Sequence, residues 1–262
     1  MDIEVLISTM NINSKKQYEK LIDKMNIKGS SIVINQCPNS EVLVHDISNG
    51  KNKLFSYREK GLSRSRNLAL NKCSSSIALL ADDDMSYVNN YEQIIKAAYT
   101  KYNDADIIAF FVSSDNPNNV KPKLKEGKVS ALKTFKIQSV QLSFKVESIK
   151  KYNIIFDDRF GAGSSLYMGE ENIFLSDCIR SGLKIYSYPI EIARLDNRES
   201  TWFKGYDEEY FIIKGACFYR ISKFWWLLLC LQFIIRKRKE YKEKISSFRA
   251  LRKMIEGKGV LK

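Results

Sequence analysis

Short apolar runs alternate with amphipathic stretches through the first two thirds of the chain. Ile3-Glu4-Val5-Leu6-Ile7-Ser8-Thr9 is β-branched and predicts a first strand. Tyr18, Leu21, Ile22 and Met25 share one stripe at helical spacing, so Lys15 to Met25 predicts a helix with Ser14 as its N-cap. Ile32-Val33-Ile34-Asn35 predicts a second strand that exits through loop chemistry at Asn35-Gln36-Cys37-Pro38-Asn39, and Lys53 to Tyr57 a short third. A helix over Leu62 to Asn71 is entered from Gly61. Ile77 to Leu80 is a buried strand, Asn90 to Tyr102 an amphipathic helix and Asp106 to Val112 another strand. This alternation with short connections predicts an α/β fold, a mostly parallel sheet covered by helices.

From Ser113 the rhythm breaks. A lysine-rich excursion to Lys136 reads as an exposed loop with short strands around Val129 to Phe135. Val146 to Tyr152 predicts a short helix. Glu170 to about Arg180 predicts a longer one, with Ile173, Phe174, Cys178 and Ile179 inward and Gly182 closing it as the C′ residue. Ile185 to Tyr188 predicts a strand stopped by Pro189. The expected organisation is a body over 1–213, with halves at about 1–112 and 113–213, and a helical tail over 214–262.

A hydrophobic fraction of 44% in 262 residues supports a sizeable core and excludes a disordered chain. The net charge of +13 suggests nucleic acid only if it covers a face. Residues 1–213 carry 29 basic and 27 acidic side chains, and residues 214–262 carry 14 and 3, so the excess belongs to the tail. That removes nucleic acid from the partners expected for the body. Five cysteines form no CxxC pair, and His45 is the single histidine, so neither a zinc site nor a multi-histidine metal site is expected. The start Met1-Asp2-Ile3-Glu4 lacks the basic and apolar regions of a secretory signal, and a reducing cytosolic setting is the expectation.

The candidate chemistry begins where Ile77-Ala78-Leu79-Leu80-Ala81 stops at Asp82-Asp83-Asp84. In open α/β sheets the carboxyl end of a strand is where ligands bind. Crowded carboxylates repel unless a cation lies among them, so a divalent metal and a phosphorylated ligand are expected there. Arg66 carries a fixed charge suited to a diphosphate or to holding an aspartate. Glu170 and Glu171 open a helix, where acidic residues also serve the dipole.

The segment Lys60-Gly61-Leu62-Ser63-Arg64-Ser65-Arg66-Asn67-Leu68-Ala69-Leu70, with the strand and Asp82-Asp83-Asp84 behind it, resembles the core of the family 2 glycosyltransferases of the GT-A fold. In that family a glycine-bearing loop leads into an Ala-Arg-Asn-like helix start, a strand and an Asp-x-Asp motif. Val5-Leu6-Ile7-Ser8-Thr9-Met10-Asn11 resembles its first strand and polar exit, and Gly169-Glu170-Glu171 its Glu-Asp motif. The resemblance covers about residues 3–195. It implies a Rossmann-like GT-A domain that moves a sugar from a nucleotide diphosphate, with UDP the expected nucleotide, onto a saccharide hydroxyl with inversion. Thr9, Asn11, Gln36, Gly61, Leu62, Arg66, Asp82 and Asp83 would line the nucleotide sugar. Asp84 would bind Mn²⁺ or Mg²⁺ directly, and Asp82 the ribose or the metal through water. Glu171 aligns with the catalytic aspartate, with Glu170 in reserve. Gly161 and Gly163 would let their loop approach the acceptor, and Trp202 reads either as a sugar-stacking ring or as a core or lid aromatic. Two departures stand out. Asn35-Gln36 replaces the family's aspartate after the second strand, and no late histidine completes a metal shell, leaving Asp196 or Asn197 for that role.

In the tail, Phe224 to Ile235 is apolar and runs into Arg236-Lys237-Arg238-Lys239. The run is short for a bilayer span, and the adjacent tryptophans and basic cluster suit an interfacial helix on an anionic leaflet. The expectation is peripheral attachment through 224–239 to the inner face of the cell membrane, with a lipid-linked saccharide acceptor in surface-polysaccharide synthesis. A helix packed on the domain or in a homodimer is the other reading. A nucleotidyltransferase is disfavoured because Met10-Asn11-Ile12-Asn13 is no glycine-rich phosphate loop. A non-catalytic membrane module leaves the acidic motifs unexplained.

Overall fold

The computed structural model describes residues 1–38, 47–114, 123–196 and 205–261. Its elements run β1 (Ile3–Met10), α1 (Lys15–Lys24), β2 (Ser30–Gln36), β3 (Ile47–Asn49), β4 (Asn52–Tyr57), α2 (Leu62–Lys72), β5 (Ile77–Asp82), β6 (Met85–Tyr87), α3 (Tyr91–Lys101), β7 (Ile107–Ser114) and β8 (Gly127–Lys128). They continue with α4 (Ala131–Thr134), β9 (Leu142–Lys145), α5 (Val146–Lys151), α6 (Glu170–Arg180), β10 (Ile185–Leu195), α7 (Glu208–Ile221), α8 (Trp226–Tyr241) and α9 (Ser247–Glu256).

One sheet holds the strands in the order β3-β4-β2-β1-β5-β9-β7-β10-β6, with β8 pairing β10. The expectation of a mostly parallel sheet holds for β4-β2-β1-β5 and for β7-β10. It fails elsewhere: β9 enters antiparallel between β5 and β7, and β3, β6 and β8 also pair antiparallel. The fold is therefore mixed α/β. β9 is only four residues long, too short to display a strand's alternation beside the helix that follows it.

Alternate residues of the strands feed two cores. Val5, Ile7 and Leu79 join α1 and α3 on one face, while Leu6, Ala78 and Leu80 join α2, α5 and α6 on the other. Ser14 caps α1 by accepting from the Gln17 amide. Gly182, at φ 82°, ends α6 with the paired turn bonds Gly182 N–H to Ile179 O and Leu183 N–H to Cys178 O.

Two further expectations are corrected. Within Val129 to Phe135, Ala131–Thr134 forms the helical turn α4, and the short strand of this region lies just before it, at Gly127–Lys128. β10 does not stop at Pro189 but continues to Leu195, absorbing the proline at register shifts between Tyr188 and Ala193. A proline has no N–H to give a ladder, and an irregularity is where a strand tolerates one.

The tail is a third packed unit. α7 spans position 213, and α7, α8 and α9 close a core of their own around Phe211, Phe218, Phe233, Tyr241 and Met254 that reaches Ile173 of α6. α8 buries Cys230, Phe233 and Ile234 and leaves Leu227, Leu228, Leu231 and Ile235 exposed. Among the described residues no helix is long and apolar enough to cross a membrane.

Candidate active site

The carboxyl ends of β1, β2, β4 and β5 lie side by side, so the loops that leave them meet. β5 ends at Asp82, paired in register with Ser8 of β1. The chain turns through Asp83 and Asp84 into β6, and the Asp84 carbonyl accepts from the Asp196 amide at 2.7 Å. This fastens the aspartate turn to the end of β10.

Arg66 is the hub. It sits on α2 at 2% exposure, and its guanidinium donates to Glu170 Oε1 at 2.9 Å, Asp82 Oδ1 at 3.2 Å and Ser139 Oγ at 2.8 Å. Its carbon also lies 5.6 Å from the centre of the Phe156 ring. Burial works against the charge on Arg66, but the fields of Asp82, Glu170 and Glu171 outweigh it and its pKa is raised. The guanidinium thus bridges the aspartate turn to the start of α6. Glu170 is buried beneath it, and desolvation together with the nearby charge of Glu171 lifts its carboxyl to about 7 against the pull of Arg66. Glu171, the next residue, is only half-buried, and its Oε1 accepts from Asn172 Nδ2 at 2.9 Å. Of the two glutamates, Glu170 is spent on Arg66 and Glu171 is the one that reaches solvent.

The neighbours of Arg66 have fixed jobs. Ser63 Oγ donates to the Phe160 carbonyl at 2.6 Å, and Ser65 Oγ to Ser8 Oγ at 2.8 Å. Asn67 clamps the Phe156 backbone on both sides, with Nδ2 to the carbonyl at 2.8 Å and the amide to Oδ1 at 2.9 Å. So α2 docks the loop over 156–165 onto the sheet edge.

The other candidates fall on this edge, several of them already engaged. Thr9 Oγ1 donates to Asp83 Oδ2 at 2.6 Å. Gln36 is buried and gives its Nε2 hydrogen to the Gly61 carbonyl at 3.1 Å. Asn35, buried next to it, brackets the Ile12 amide and carbonyl and donates to Ser56 Oγ. Asn11 is exposed in the left-handed region at φ 59°, and its amide donates to the Gln36 carbonyl. The Leu62 amide donates to the Ala162 carbonyl at 2.9 Å. Gly161 and Gly163 serve close packing: a Cβ on Gly161 would come within 3.3 Å of Glu170 Cδ, and one on Gly163 within 3.3 Å of Gly61 Cα. Trp202 and Asn197 lie outside the described residues. Asp196 pairs with Lys24 at 2.5 Å.

These residues bear on a metal. Among the described residues no group of three or more histidine, cysteine, aspartate or glutamate side chains is arranged to hold an ion. Asp82 is tied to Arg66 and Asp83 to Thr9. A hard cation that keeps water and phosphate oxygens and takes only one or two carboxylates fits such a turn, whereas a cage of protein ligands does not.

Sequence reasoning missed Ser139, the third partner of Arg66, and Asn35 as a loop clamp. Nothing local marks Ser139, which lies on a short 3₁₀ turn before β9. Asn35 was visible as a polar residue ending an apolar strand.

No protein-family model matches the chain, and a search of curated proteins returns no match. Solved structures do match. The fold is similar to S. aureus TarS 1-349 in complex with UDP-GlcNAc, with a TM-score of 0.67 at 14% identity over 98% of this chain and 81% of that one. TarS 1-349 in complex with UDP matches with a TM-score of 0.63 over the same shares. A longer S. aureus TarS structure matches with a TM-score of 0.61 over 91% of this chain and 44% of its own length. At 14% identity the likeness is one of fold.

Proposed function

We propose that the chain is a glycosyltransferase that moves a sugar from a nucleoside diphosphate sugar to a saccharide hydroxyl with inversion, as family 2 enzymes of the GT-A fold do. The observation that carries this reading is the buried Arg66 bridge, because it ties the aspartate turn and the Glu170-Glu171 helix start into one site. The likeness in fold to a protein crystallised with UDP-GlcNAc and with UDP supports the donor class and favours UDP.

The geometry supports the following residue roles. Glu171 takes the proton of the acceptor hydroxyl. The freed oxygen pair attacks the anomeric carbon, the bond from that carbon to the β-phosphate oxygen breaks, and the nucleoside diphosphate leaves with its electron pair. Glu170 and Arg66 hold the start of α6 against the aspartate turn. Thr9, Gln36 and Asn35 hold the loops where base and ribose would rest. Asp84, with Asp82, would hold Mn²⁺ or Mg²⁺, which when bound neutralises charge on the leaving diphosphate. The exposed apolar face of α8 and the basic residues 236–239 in its C-terminal part support attachment of 224–239 to the inner face of the cell membrane and a lipid-linked saccharide as acceptor.

The test is thermal unfolding with UDP, with and without Mn²⁺. Saturation at a hundredfold over the dissociation constant should add about 2.7 kcal/mol of stability. No stabilisation by any nucleoside diphosphate with either metal overturns the reading. Asp84→Asn should lose metal-dependent stabilisation, and full transfer by that variant would remove Asp84 from the metal.

A further inference from the structure

A cavity of about 1200 Å³ lies on the far flank of α6, between α4, the end of α7 and the start of α8. That is larger than the usual small-molecule cleft of roughly 300–1,000 Å³. Its walls are apolar, with Leu132, Phe135, Ile179, Phe224, Trp225 and Leu228 among them. Leu132 on α4 is 72% exposed, and Phe224, just before α8, is 81% exposed. Apolar side chains held this open to water mark a binding surface rather than ordinary surface leucines.

The polar lining has its own charge pattern. Arg159, Arg180, Arg220 and Lys223 line the same cavity. Three guanidinium groups share two carboxylates: Arg159 and Arg220 meet Asp157 at 2.7 and 2.8 Å, Arg220 meets Asp177 at 3.0 Å, and Arg180 also meets Asp177. One positive charge is left over, and Lys223 adds another. Paired guanidinium groups with excess charge beside an apolar slot suit a phosphate that carries a hydrocarbon chain.

The cavity is also connected to the site. α6 carries Glu171 at its start and contributes Ser176, Ile179 and Arg180 to the cavity. At 1.5 Å per residue these lie about 8 to 14 Å from Glu171 along the helix. Arg159 is two residues from Gly161, which packs on Glu170.

We propose that this cavity binds the hydrocarbon chain and phosphate of the lipid that carries the acceptor saccharide, so that the sugar end of the same molecule reaches Glu171. The proposal rests on the glycosyltransferase reading for its acceptor, and its test separates the two. The full chain is titrated calorimetrically with dodecyl phosphate below its micelle concentration, and UDP with Mn²⁺ is measured by thermal shift on the same samples. Saturable binding of the alkyl phosphate is expected. Leu132→Glu and Leu228→Glu, both at exposed positions, should each weaken it about tenfold or more, because each loses an apolar contact and adds a repelling charge. Ile235→Glu is the control: it lies on the exposed face of α8 outside the cavity, should leave alkyl phosphate binding unchanged and should reduce cosedimentation with anionic vesicles.

Absence of saturable binding overturns the proposal. So does equal weakening by Ile235→Glu, or vesicle binding lost in Leu228→Glu without any binding of the monomeric alkyl phosphate, since these make the face one that rests on a bilayer. A missing UDP shift would sink the transfer reading, while the alkyl phosphate titration would still decide the cavity.

Discussion

Arg66→Met removes the guanidinium and keeps the side-chain volume. It breaks the buried contact with Glu170 at 2.9 Å, the contact with Asp82 at 3.2 Å and the Ser139 bond. Asp82 is 35% exposed, so water takes over most of its share. Glu170 is the costly partner, because it stays buried with Glu171 next to it. Removing one member of a buried pair costs about 3–5 kcal/mol, which for a chain of this size lowers Tm by roughly 10 °C. The loss must depend on pH, and its sign is fixed. The Glu170 carboxyl is raised from 4.5 to about 7 in the folded protein, so the folded state holds a proton that the unfolded chain gives up within that window. Stability from this group is therefore lost as pH rises from 4.5 to about 7. Arg66 opposes that rise in pKa, so without Arg66 the window extends further upward. Urea unfolding of both proteins should show the full loss at about pH 8 and a clearly smaller one at about pH 5, where Glu170 is neutral. Adding Glu170→Gln to Arg66→Met should recover stability at the higher pH to within about 1 kcal/mol of the loss at the lower one. An equal loss below about 1 kcal/mol at both pH values would refute the claim that Arg66 exists to hold a buried carboxylate.

Glu171→Gln should fold normally and bind UDP, yet lower transfer by about a hundredfold to ten-thousandfold, the usual worth of a general base. Glu170→Gln showing that signature instead, with Glu171→Gln active, would exchange the two roles. Thr9→Val frees Asp83 from a 2.6 Å hydrogen bond, so UDP affinity should fall several-fold while Tm moves little; unchanged affinity by calorimetry removes Thr9 from the donor site. Gly215→Ala should destabilise the tail, because the added carbon would meet the Met254 carbonyl oxygen at 1.9 Å. The penalty should be at least about 1–3 kcal/mol by urea unfolding, and a neutral outcome would mean that α7 and α9 separate easily.

What the sequence made legible was local. Alternation and helical spacing located β1, β2, β4, β5 and β7 and the helices α1, α2, α3, α5 and α6, because each is long enough to show its period. The aspartate turn and the glutamates were visible because charge ends an apolar run abruptly. The Arg66 bridge was legible only in part: its charge read as suited to holding an aspartate, but Glu170 and Ser139 lie 104 and 73 positions away and only the assembled sheet brings them to it. The tail was legible only in outline. Phe224 to Ile235 read as an apolar stretch suited to an interfacial or a packed helix, and the helix divides it into a face packed on Phe211 and Phe218 and a face left to solvent. Composition holds no information about that division, which depends on where α7 and α9 lie.

The crowding of like charge argues for how the proposed donor must arrive. Asp82, Glu170 and Glu171 act on the Arg66 guanidinium, Asp83 and Asp84 follow Asp82 in the same turn, and the Glu170 carboxyl is already driven up by burial and by the charge of Glu171. A diphosphate brings further negative charge to the same edge. Where the carboxylates stay charged, repulsion of that kind is relieved by a cation. Arg66 is already committed: its one positive charge faces Asp82 and Glu170, and three of its N–H hydrogens go to Glu170, Asp82 and Ser139 at the base of the site. Nucleotide and cation should therefore bind with strong mutual dependence, each raising the affinity of the other by the same factor, as linkage requires. Calorimetric titration of UDP at several Mn²⁺ concentrations reads that factor directly. Equal UDP affinity with and without the metal would mean that lysines or arginines from elsewhere in the chain neutralise the diphosphate, and the assignment of Asp84 to a metal would fall with it.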